Sequence, residues 1–588
     1  MEQKVDYKLK FNEFFNEIIE WIKNNDFDKA KLAKRKIELS KKYKLKKIPS
    51  DIEIFLNSDE KDSKLLSCLQ TKPIRSLSGV SVVAIMGKPI ACSHGKCIMC
   101  PGGPKSKFGD VPMSYTGIEP ATRRAIRNDY DSYLQTFNRL EQYIASGHHP
   151  QKIEMIIMGG TFPSFHPAYQ NEFMYFAYKA MNDFGDLFMS EGKVNWKKYK
   201  DFFEMPGDFQ EKDREERVKQ KILDLKNKDA NANELEKQKE INENGQVRLI
   251  GLTFETRPDF ALEEHINDML NFGVTRVELG VQTTKDDVLE YINRDHDSKS
   301  SKNSIALLKD AGFKINFHMM PGLPLTTKEE DINIFKQIFE EEEYKPDMLK
   351  IYPCTVIIGT LLYDLYTEGK FNPITTEEAA EIIAKAMKYV PKYTRIMRVQ
   401  RDIPSTRITA GPSRTNLRQY VIEKQRKFNI KSNDIRAREP GHQKKDIVAF
   451  PRGENESKFE ICVDEYNSSN GKEYFISYED VNNELLYGFI RLRFFGNRCF
   501  REEIDPINDA IIRELHVYGD TLNIGIKGVQ NKGDIQHIGI GKQLLKKAEE
   551  ICIENNKKKL LVISGIGVKQ YYKKQGYIND GPYVSKTL

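Results

Sequence analysis

The chain has 588 residues, a formal net charge of +6, 39% hydrophobic residues and 30% charged residues. This length is too great for one hydrophobic core and predicts roughly two to four domains, while no apolar run approaches the roughly 18 residues of a membrane span, which argues against a membrane protein. The N-terminal segment has no apolar signal core, so we expect a cytoplasmic location.

Basic residues are concentrated in three parts of the chain. Residues 1–75 are predicted to form a basic helical segment, with the highest charge density in 29–47. Further basic groups occur in 121–130 and 393–407, where tyrosine and arginine are interleaved. Such composition suits a phosphate backbone with bases to stack upon. A solvated helix face explains 29–47 equally well, but the three groups together favour RNA as a partner.

Short β-rich runs alternate with amphipathic stretches over residues 76–400, for example in KIEMIIMGG, VTRVELGVQ and FKINFHMMPG. This alternation predicts βα units around a parallel sheet, and therefore a full or partial barrel. Within it, residues 194–245 form a highly charged insert, which we expect to be an exposed helical or disordered excursion without a catalytic role. A basic linker at 401–455 and a compact α/β unit at 456–588 follow.

Three of the eight cysteines, Cys92, Cys97 and Cys100, lie close together in the sequence. A structural zinc site needs a fourth ligand, and His94, between the thiols, would supply it only with strained geometry. Three thiolates instead leave one iron of an iron–sulfur cluster free to bind a substrate. A zinc loop or a set of structural cysteines is the alternative, but a position at the end of the first barrel strand favours the cluster.

Several polar residues fall at or near predicted strand ends, where the active sites of barrels are found. Gly159, Gly160 and Thr161 follow one of the β-rich runs; glycines there admit a ligand close to the backbone, although a tight turn explains them as well. The remaining members of this set are Glu255, Arg257, Glu278, Gln282 and Lys350. Each of these could instead be a hydrogen-bonded polar residue of the core.

A glycine motif, Gln536-x-x-Gly539-x-Gly541, opens a predicted helix near the C-terminus. It resembles the pyrophosphate loop of the GCN5-related N-acetyltransferases (GNAT), in which backbone amides at a helix N-terminus hold coenzyme A. The motif alone is a weak signal. A predicted strand in IRELHVYG before it, and a tyrosine-bearing helix and a turn after it, support the assignment.

The motifs, taken in chain order, resemble the family of the catalytic subunit of Elongator, radical S-adenosylmethionine (SAM) enzymes that modify the wobble uridine of tRNA. The resemblance covers nearly the whole chain and is carried by the three-cysteine loop with PGGP, and by SYTGIEPATRRAIRNDYD, MGGTF, GLTFETRPD, VELGVQT, HMMPGLP, RVQRDIP and NLRQ. It implies an α/β fold in which a radical SAM partial TIM-type barrel is followed by a GNAT domain.

The resemblance also implies ligands and roles. The three cysteines would bind a [4Fe-4S] cluster whose open iron chelates SAM. The residues at the strand ends, from Gly159 to Lys350 as given above, would surround the bound SAM. Contacts to acetyl-CoA would come from Lys152, Glu514, Leu515, His516, Val517, Gln536, Gly539, Ile540, Gly541, Lys542 and Tyr572. Lys152 and Tyr572 would be catalytic, Tyr572 by donating a hydrogen bond to the departing thiolate. One tyrosine of the pair Tyr571 and Tyr572 is expected to be only a core residue.

The implied reaction is C5-carboxymethylation of tRNA uridine 34, in which a 5′-deoxyadenosyl radical activates acetyl-CoA. Its partners would be tRNA, an electron donor, and either a second copy of the chain or accessory subunits, with no membrane involved. The sequence departs from the family at Ser93, where proline is usual, and lacks the linker cysteines of some members, so we expect no zinc.

Two other functions fit parts of the sequence. A lysine acetyltransferase with a structural iron–sulfur domain would account for the C-terminal motif but leaves the cysteine loop without a purpose. An inactive tRNA-binding scaffold is disfavoured by the intact cysteines and the intact glycine motif.

Overall fold

A computed structural model describes residues 2–58, 69, 79–205, 212–443, 449–450, 452–453, 455–518 and 539–588. Along the chain, a helical N-terminal segment is followed by a parallel sheet with helices and then by a mostly antiparallel sheet. Within these ranges, no helix combines the length and the apolar character needed to cross a bilayer.

The N-terminal segment is helical, as predicted, and consists of α1 (Glu2–Asn24), α2 (Lys29–Lys42) and α3 (Asp51–Leu56). Asp28 caps α2 by accepting a hydrogen bond from the Lys31 N–H, and Ser50 with Glu53 forms a capping box that starts α3. Apolar residues such as Phe14 are buried in the same core as the barrel. The basic segment is therefore docked on the barrel.

The middle of the chain contains thirteen strands in its described part: β1 (Val80–Met86), β2 (Gly103–Ser106), β3 (Gly109–Val111), β4 (Lys152–Met158), β5 (Met189–Ser190), β6 (Lys193–Val194), β7 (Arg248–Thr256), β8 (Arg276–Gln282), β9 (Lys314–Met319), β10 (Met348–Ile351), β11 (Val356–Ile357), β12 (Arg395–Arg398) and β13 (Ile408–Ala410). Seven of them form a parallel sheet in the order β1-β4-β7-β8-β9-β10-β12. Strands that neighbour one another in chain order are typical of a (β/α) barrel. No pairing closes β12 onto β1 among the described residues, which confirms a partial barrel.

The helices of this region are α4 (Pro120–Arg127), α5 (Ser132–Ala145), α6 (Pro167–Phe188), α7 (Trp196–Phe202), α8 (Lys212–Asn227), α9 (Leu235–Asn244), α10 (Glu263–Phe272), α11 (Asp286–Tyr291), α12 (Ser298–Asp310), α13 (Lys328–Glu340), α14 (Leu361–Thr367), α15 (Thr376–Ala386), α16 (Leu417–Phe428), α17 (Ile435–Arg438) and α18 (Pro440–Gln443). The charged insert 194–245 contains α7 to α9. Residues 401–455, predicted as a linker, contain β13 and α16 to α18, and α16 packs Leu417 and Val421 into the barrel core.

The C-terminal unit is built on a second sheet with strands β14 (Phe459–Ser468), β15 (Gly471–Asp480), β16 (Leu485–Phe494), β17 (Asp509–Val517), β18 (Lys559–Val562), β19 (Ile578–Asp580) and β20 (Tyr583–Thr587) in the order β14-β15-β16-β17-β18-β20-β19. Two helices, α19 (Ile540–Glu554) and α20 (Lys569–Lys573), accompany it. β17 pairs in parallel with β18 only over 509–512. The sheet therefore opens beyond this point, along the last residues of β17.

A network of buried charges joins the two sheets. Arg513 donates two hydrogen bonds of 2.7 Å to the Asp347 carboxylate, and Arg493 donates to Asp310 at 2.6 and 2.8 Å. Glu473 accepts from both arginines, at 2.8 and 3.0 Å. All five side chains are fully buried. Burial alone would raise the pKa of Asp347, but the Arg513 guanidinium holds it well below its usual value, so the carboxylate remains charged at neutral pH.

Asp347→Asn should lower the free energy of unfolding by about 3–5 kcal/mol, because it removes one of the two carboxylates that balance the buried Arg513 and leaves only Glu473, which Arg493 shares. Chemical denaturation of the full chain measures the loss. The matched control is Glu465→Gln, which removes a carboxylate from a half-exposed pair with Lys472 and should change stability little. Equal losses in the two variants would contradict a structural role for the buried network.

Candidate active site

The C-terminal ends of the barrel strands surround a cavity, referred to below as the main cavity. Cys92, Cys97 and Cys100, in the loop after β1, all line it. The Ser114 backbone N–H donates to Cys100 Sγ at 3.2 Å, and His94 Nε2 lies 3.3 Å from Cys97 Sγ. The loop therefore directs all three thiol groups into the main cavity.

The spacing of these thiols fits a cluster better than a single ion. Zinc binds thiolates at about 2.3 Å, which places their sulfurs within about 4 Å of one another. Over the described ranges, a single trio of metal-ligating side chains brings its atoms within 4.8 Å of one another, and it contains no cysteine. Burial, with the charges of the neighbouring thiols, raises the pKa of Cys92 to about 11, a cost that bound iron would offset. The cysteines thus fit a [4Fe-4S] cluster.

Most of the polar residues predicted at the strand ends line the main cavity: Gly160, Thr161, Glu255, Arg257, Glu278, Gln282 and Lys350. Gly159 lies behind the wall, where a Cβ would come within 3.3 Å of Pro112 and 3.5 Å of the Gly87 backbone. Gly160 has a φ of +105°, which a side chain would strain. The two glycines therefore form a close turn under the cavity.

Glu278 is the most heavily paired residue of the cavity wall. His318 Nε2 lies 2.9 Å from its carboxylate, Asn316 donates to it at 3.2 Å, and Lys350 forms an ion pair with it. Burial by itself would raise the pKa of Glu278, but Lys350 and His318 hold it well below the usual value. Glu278 is therefore a fixed negative charge.

Glu255 stands beside Glu278 on the adjacent strand but behaves differently. Burial raises the pKa of Glu255 to about 7; Lys350 opposes the shift and Glu278 adds to it. The Tyr115 hydroxyl lies 3.4 Å from the Glu255 carboxylate. A carboxyl group that titrates near neutral pH can accept or donate a proton in the cavity.

Arg257 is a buried cation with one free donor. Its Nε and one terminal nitrogen donate to Asp259 at 2.9 and 2.6 Å, whereas the other terminal nitrogen is buried without a partner in the described part of the structure. Because Arg257 lines the main cavity, this nitrogen suits a carboxylate such as that of SAM.

Sequence reasoning missed several residues of the wall, among them Tyr115, Arg294, His318 and Arg401. The period-two alternation of β9 could have revealed His318, since Asn316 and His318 share one face of the strand. Tyr115 lies in the loop after β3 and carries no such pattern. Arg401 belongs to the basic group 393–407, which by itself predicts no place in the cavity; it donates to the Ser114 carbonyl at 2.6 Å.

The opposite end of the barrel, its floor, is also charged. Lys152 begins β4 at this end, and Glu154 forms an ion pair with Arg276. The other terminal nitrogen of Arg276 lies 3.8 Å from the Glu278 carboxylate. Barrel interiors are ordinarily filled by layers of apolar side chains. Here charged groups instead extend from the floor to the main cavity.

The end of β17 lies against this floor and carries the four residues predicted there, Glu514, Leu515, His516 and Val517. Glu514 accepts a hydrogen bond of 2.9 Å from Arg491. Although burial would raise the pKa of Glu514, Lys314 of β9 and Arg491 lower it. Burial lowers the pKa of His516 to about 4. Glu514 and His516 therefore face the barrel, whereas Leu515 and Val517 pack against the core of the C-terminal sheet.

The glycine motif leads into α19. Gly539 precedes the helix with a φ of +93°, and Ile540 is its first residue. A Cβ on Gly541 would come within 2.9 Å of the Tyr571 hydroxyl, so only glycine fits there without a shift. Lys542 is exposed in the first turn. Gln536, the first residue of the motif, lies outside the described residues.

The two residues predicted to be catalytic are not in direct contact. Tyr572 is buried in the core of the C-terminal sheet, and burial raises its pKa, whereas Tyr571 is the tyrosine that reaches the glycine motif. Burial lowers the pKa of Lys152. Among the interactions of the described residues, none joins Lys152 to Tyr572, so a ligand would have to bridge them.

Comparison with protein families gives matches along most of the chain. Residues 9–77 match the ELP3 N-terminal domain, 215–338 the Radical SAM superfamily, 346–427 the Radical_SAM C-terminal domain and 529–587 the Acetyltransferase (GNAT) domain. The cysteine loop precedes the part matched to the Radical SAM superfamily.

Individual relatives match at nearly full length. The chain is 42% identical to the tRNA uridine(34) acetyltransferase of Methanocaldococcus jannaschii, covering 97% of this chain and 96% of that protein. It is 36% identical to Elongator complex protein 3 of Schizosaccharomyces pombe, covering 94% and 93%. Among solved structures, the archaeal Methanocaldococcus infernus Elp3 with an N-terminal deletion of residues 1–46 matches with a TM-score of 0.68, 36% identity, and coverage of 87% and 100%.

Cys97→Ala should abolish the visible absorbance and iron content of the anaerobically reconstituted protein, together with SAM cleavage, because a cluster ligand is lost. Acetyl-CoA binding should persist, since the glycine motif lies on the other sheet. Cys462→Ala, at a half-buried thiol on β14, serves as the control. Full absorbance and cleavage in Cys97→Ala would overturn the ligand assignment.

Glu255→Gln should alter how stability depends on pH. The pKa of about 7 lies above the usual 4.5, so between these values the folded state keeps a proton that the unfolded chain has released. As the pH rises through this range, the wild type should lose up to about 3 kcal/mol relative to Glu255→Gln, and the difference should then stay constant. Denaturation at successive pH values measures it, with the exposed Glu290→Gln as control. A flat difference would refute the raised pKa.

Proposed function

Because the chain belongs to the Elongator complex protein 3 family, we propose that it modifies uridine 34 of tRNA with the acetyl group of acetyl-CoA. The methyl carbon of the acetyl group gives up a hydrogen atom, which the 5′-deoxyadenosyl group from SAM would accept, and becomes bonded to C5 of the base. The ring is restored when the adduct gives up the C5 proton and one electron, which the cluster held by the cysteine loop would accept. Hydrolysis of the thioester then leaves a carboxymethyl group and free coenzyme A.

The observation that carries this proposal is the charged interior of the barrel, which connects the two predicted sites. Cys92, Cys97 and Cys100 line the cavity at one end, and Glu514 of the GNAT-like sheet lies at the other, close enough to Lys314 for their charges to interact. Two independent catalysts on one chain would not need such a connection. One reaction that uses both ligands would.

The residues of the main cavity suit the cofactors that the family requires. The cysteine loop would hold the [4Fe-4S] cluster, and the free nitrogen of Arg257 would bind the SAM carboxylate. When bound, the two supply one-electron chemistry that can remove a hydrogen atom from a methyl group. Lys350 and Glu278 give the wall fixed charges that orient the ligands, and Glu255 is poised to accept the proton released from C5.

Acetyl-CoA would bind where β17 separates from β18, with its pyrophosphate at the start of α19. Its acetyl arm would point at the barrel floor, where Lys152 offers a cation to the coenzyme. Arg276 stands between floor and cavity and has two carboxylate partners, Glu154 and Glu278. We assign it a positioning role: movement of its side chain toward either partner would open the interior to the acetyl group.

The wobble uridine would enter from the open side of the main cavity, which Arg398 and Arg401 line. An anticodon loop presents bases whose unstacking costs little, and the basic helices α1 to α3 would contact the phosphate backbone. A cytoplasmic location suits this substrate. An electron donor would supply the electron that SAM cleavage consumes at the start of the reaction, and a second copy or accessory subunits are further partners that we expect from the family.

A lysine acetyltransferase with a structural cluster is the weaker alternative. A structural cluster would need neither the unpartnered Arg257 nitrogen nor a carboxyl group at Glu255 that titrates near pH 7. An inactive scaffold would likewise have no use for buried charges that cost stability unless they are paired.

Acetyl-CoA with a deuterated methyl group tests the reaction directly. Deuterium should appear in 5′-deoxyadenosine, and the modified uridine should retain the other two deuterium atoms, as measured by mass spectrometry of nucleosides. Lys152→Ala should reduce modification more than it reduces tRNA affinity. The control is Lys193→Ala, which removes an exposed lysine next to the charged insert and should change neither. Normal modification with deuterium-free 5′-deoxyadenosine would refute the proposal.

A further inference from the structure

A second cavity lies beside α16 and α17 and shares no lining residue with the main cavity. Its charged lining residues are Arg418, Lys431, Asp434, Arg436 and Arg452. Four of these five side chains are cationic. The cavity, termed here the arginine pocket, therefore has an excess of positive charge that no part of the proposed reaction uses.

Two of the cations have a carboxylate partner. Lys431 and Arg452 both form ion pairs with Glu484, and Arg452 also donates to the Ser432 carbonyl at 2.8 Å. Their charges are therefore partly compensated by the protein itself.

The other two, Arg418 and Arg436, are not compensated in this way. Among the ion pairs of the described residues, neither guanidinium reaches a carboxylate, and Arg418 makes one long hydrogen bond of 3.4 Å to the Ile396 carbonyl. Burial, with the nearby charge of Arg418, lowers the pKa of Arg436 to about 9. Two guanidinium groups are thus held close together in a partly desolvated place.

Asp434, the one carboxylate in the described lining, is engaged elsewhere. It accepts hydrogen bonds from the Ser432 hydroxyl at 2.6 Å, from the Arg436 backbone N–H at 3.1 Å and from the Ile396 backbone N–H at 3.4 Å. Its oxygens hold the local backbone, so its charge offsets that of the guanidinium groups only at a distance. Arg395, the further cation near this pair, is itself paired with Glu439.

We infer that the arginine pocket binds a phosphate group through Arg418 and Arg436. A guanidinium presents a planar fork of donors that matches two phosphate oxygens, and a bound anion removes the repulsion between the two cations. The pocket is concave, and the chain supplies no carboxylate that occupies this position in the described structure.

The phosphate that the pocket takes is that of an RNA backbone, an identification that rests on the proposed function. Arg418 is held by the carbonyl of Ile396 on β12, and Arg398 on the same strand lines the main cavity. A base in the main cavity and a phosphate in the arginine pocket would therefore both lie next to β12. A free phosphate ion is the other source of the same chemistry.

The first arm of the test uses inorganic phosphate and the full chain saturated with acetyl-CoA, which occupies the other predicted phosphate site. Calorimetry should show binding that Arg436→Gln weakens about tenfold, while Arg436→Lys, which keeps the charge, loses less. Arg414→Gln removes an exposed arginine on the loop before α16 and should change nothing.

The second arm measures tRNA affinity as a function of salt. Loss of one phosphate contact should reduce the slope of log affinity against log salt by about 0.7–0.9 in Arg436→Gln, and Arg414→Gln should keep the wild-type slope. If Arg436→Gln weakens phosphate binding but keeps the wild-type tRNA slope, the arginine pocket binds phosphate, and an RNA backbone as the source of that phosphate is refuted.

If Arg436→Gln matches Arg414→Gln in both arms, the inference is overturned. Failure of the proposed function would give a different result. Wild-type protein would leave uridine 34 unmodified, but Arg436→Gln would still weaken the binding of inorganic phosphate.

Discussion

The arrangement of the molecule depends on the buried ion pairs between Arg493 and Asp310 and between Arg513 and Asp347, which join the C-terminal sheet to the barrel domain. A charge that is removed from water without its partner costs several kcal/mol, so the two sheets can be separated or rotated only at a large penalty. Apolar packing tolerates small slides between surfaces, whereas a bidentate arginine–carboxylate pair fixes both distance and angle. We infer that these pairs set the position of the GNAT-like sheet under the barrel.

This position decides what the two ligand sites can share. With the C-terminal sheet under the floor of the barrel, Glu514 comes close to Lys314, and the cysteine loop opens at the far end of the same strands. Charged side chains fill the interior between these two ends, with Arg276 placed between Glu154 and Glu278. Such an interior lowers stability relative to an apolar one, because buried charges must be desolvated. A charged barrel interior is explained if polar ligands meet inside it.

Neighbouring groups give similar residues different chemistry. Glu255 and Glu278 are adjacent across two strands, yet one titrates near neutral pH and the other stays ionised, because the cations are concentrated on Glu278. Arginines differ in the same way. Arg513 is saturated by carboxylates, whereas Arg436 has none in the described structure. The first serves the fold, and the second is free to bind a ligand. Residue type alone does not separate these roles.

The sequence by itself determined the elements and the chemistry of the cysteine loop. The alternation of β-rich runs with amphipathic stretches predicted the partial barrel, and the spacing of Cys92, Cys97 and Cys100 predicted three thiols in one loop, since both are local properties of the sequence. The tertiary structure alone decided which charges meet. Arg276 reaches Glu154 on another strand, and Arg513 reaches Asp347, which precedes β10 of the barrel, over separations in sequence that no periodic pattern records. Protonation at Glu255 and the uncompensated charge at Arg436 arise from burial and from neighbours brought by folding, so they could not be predicted from the sequence.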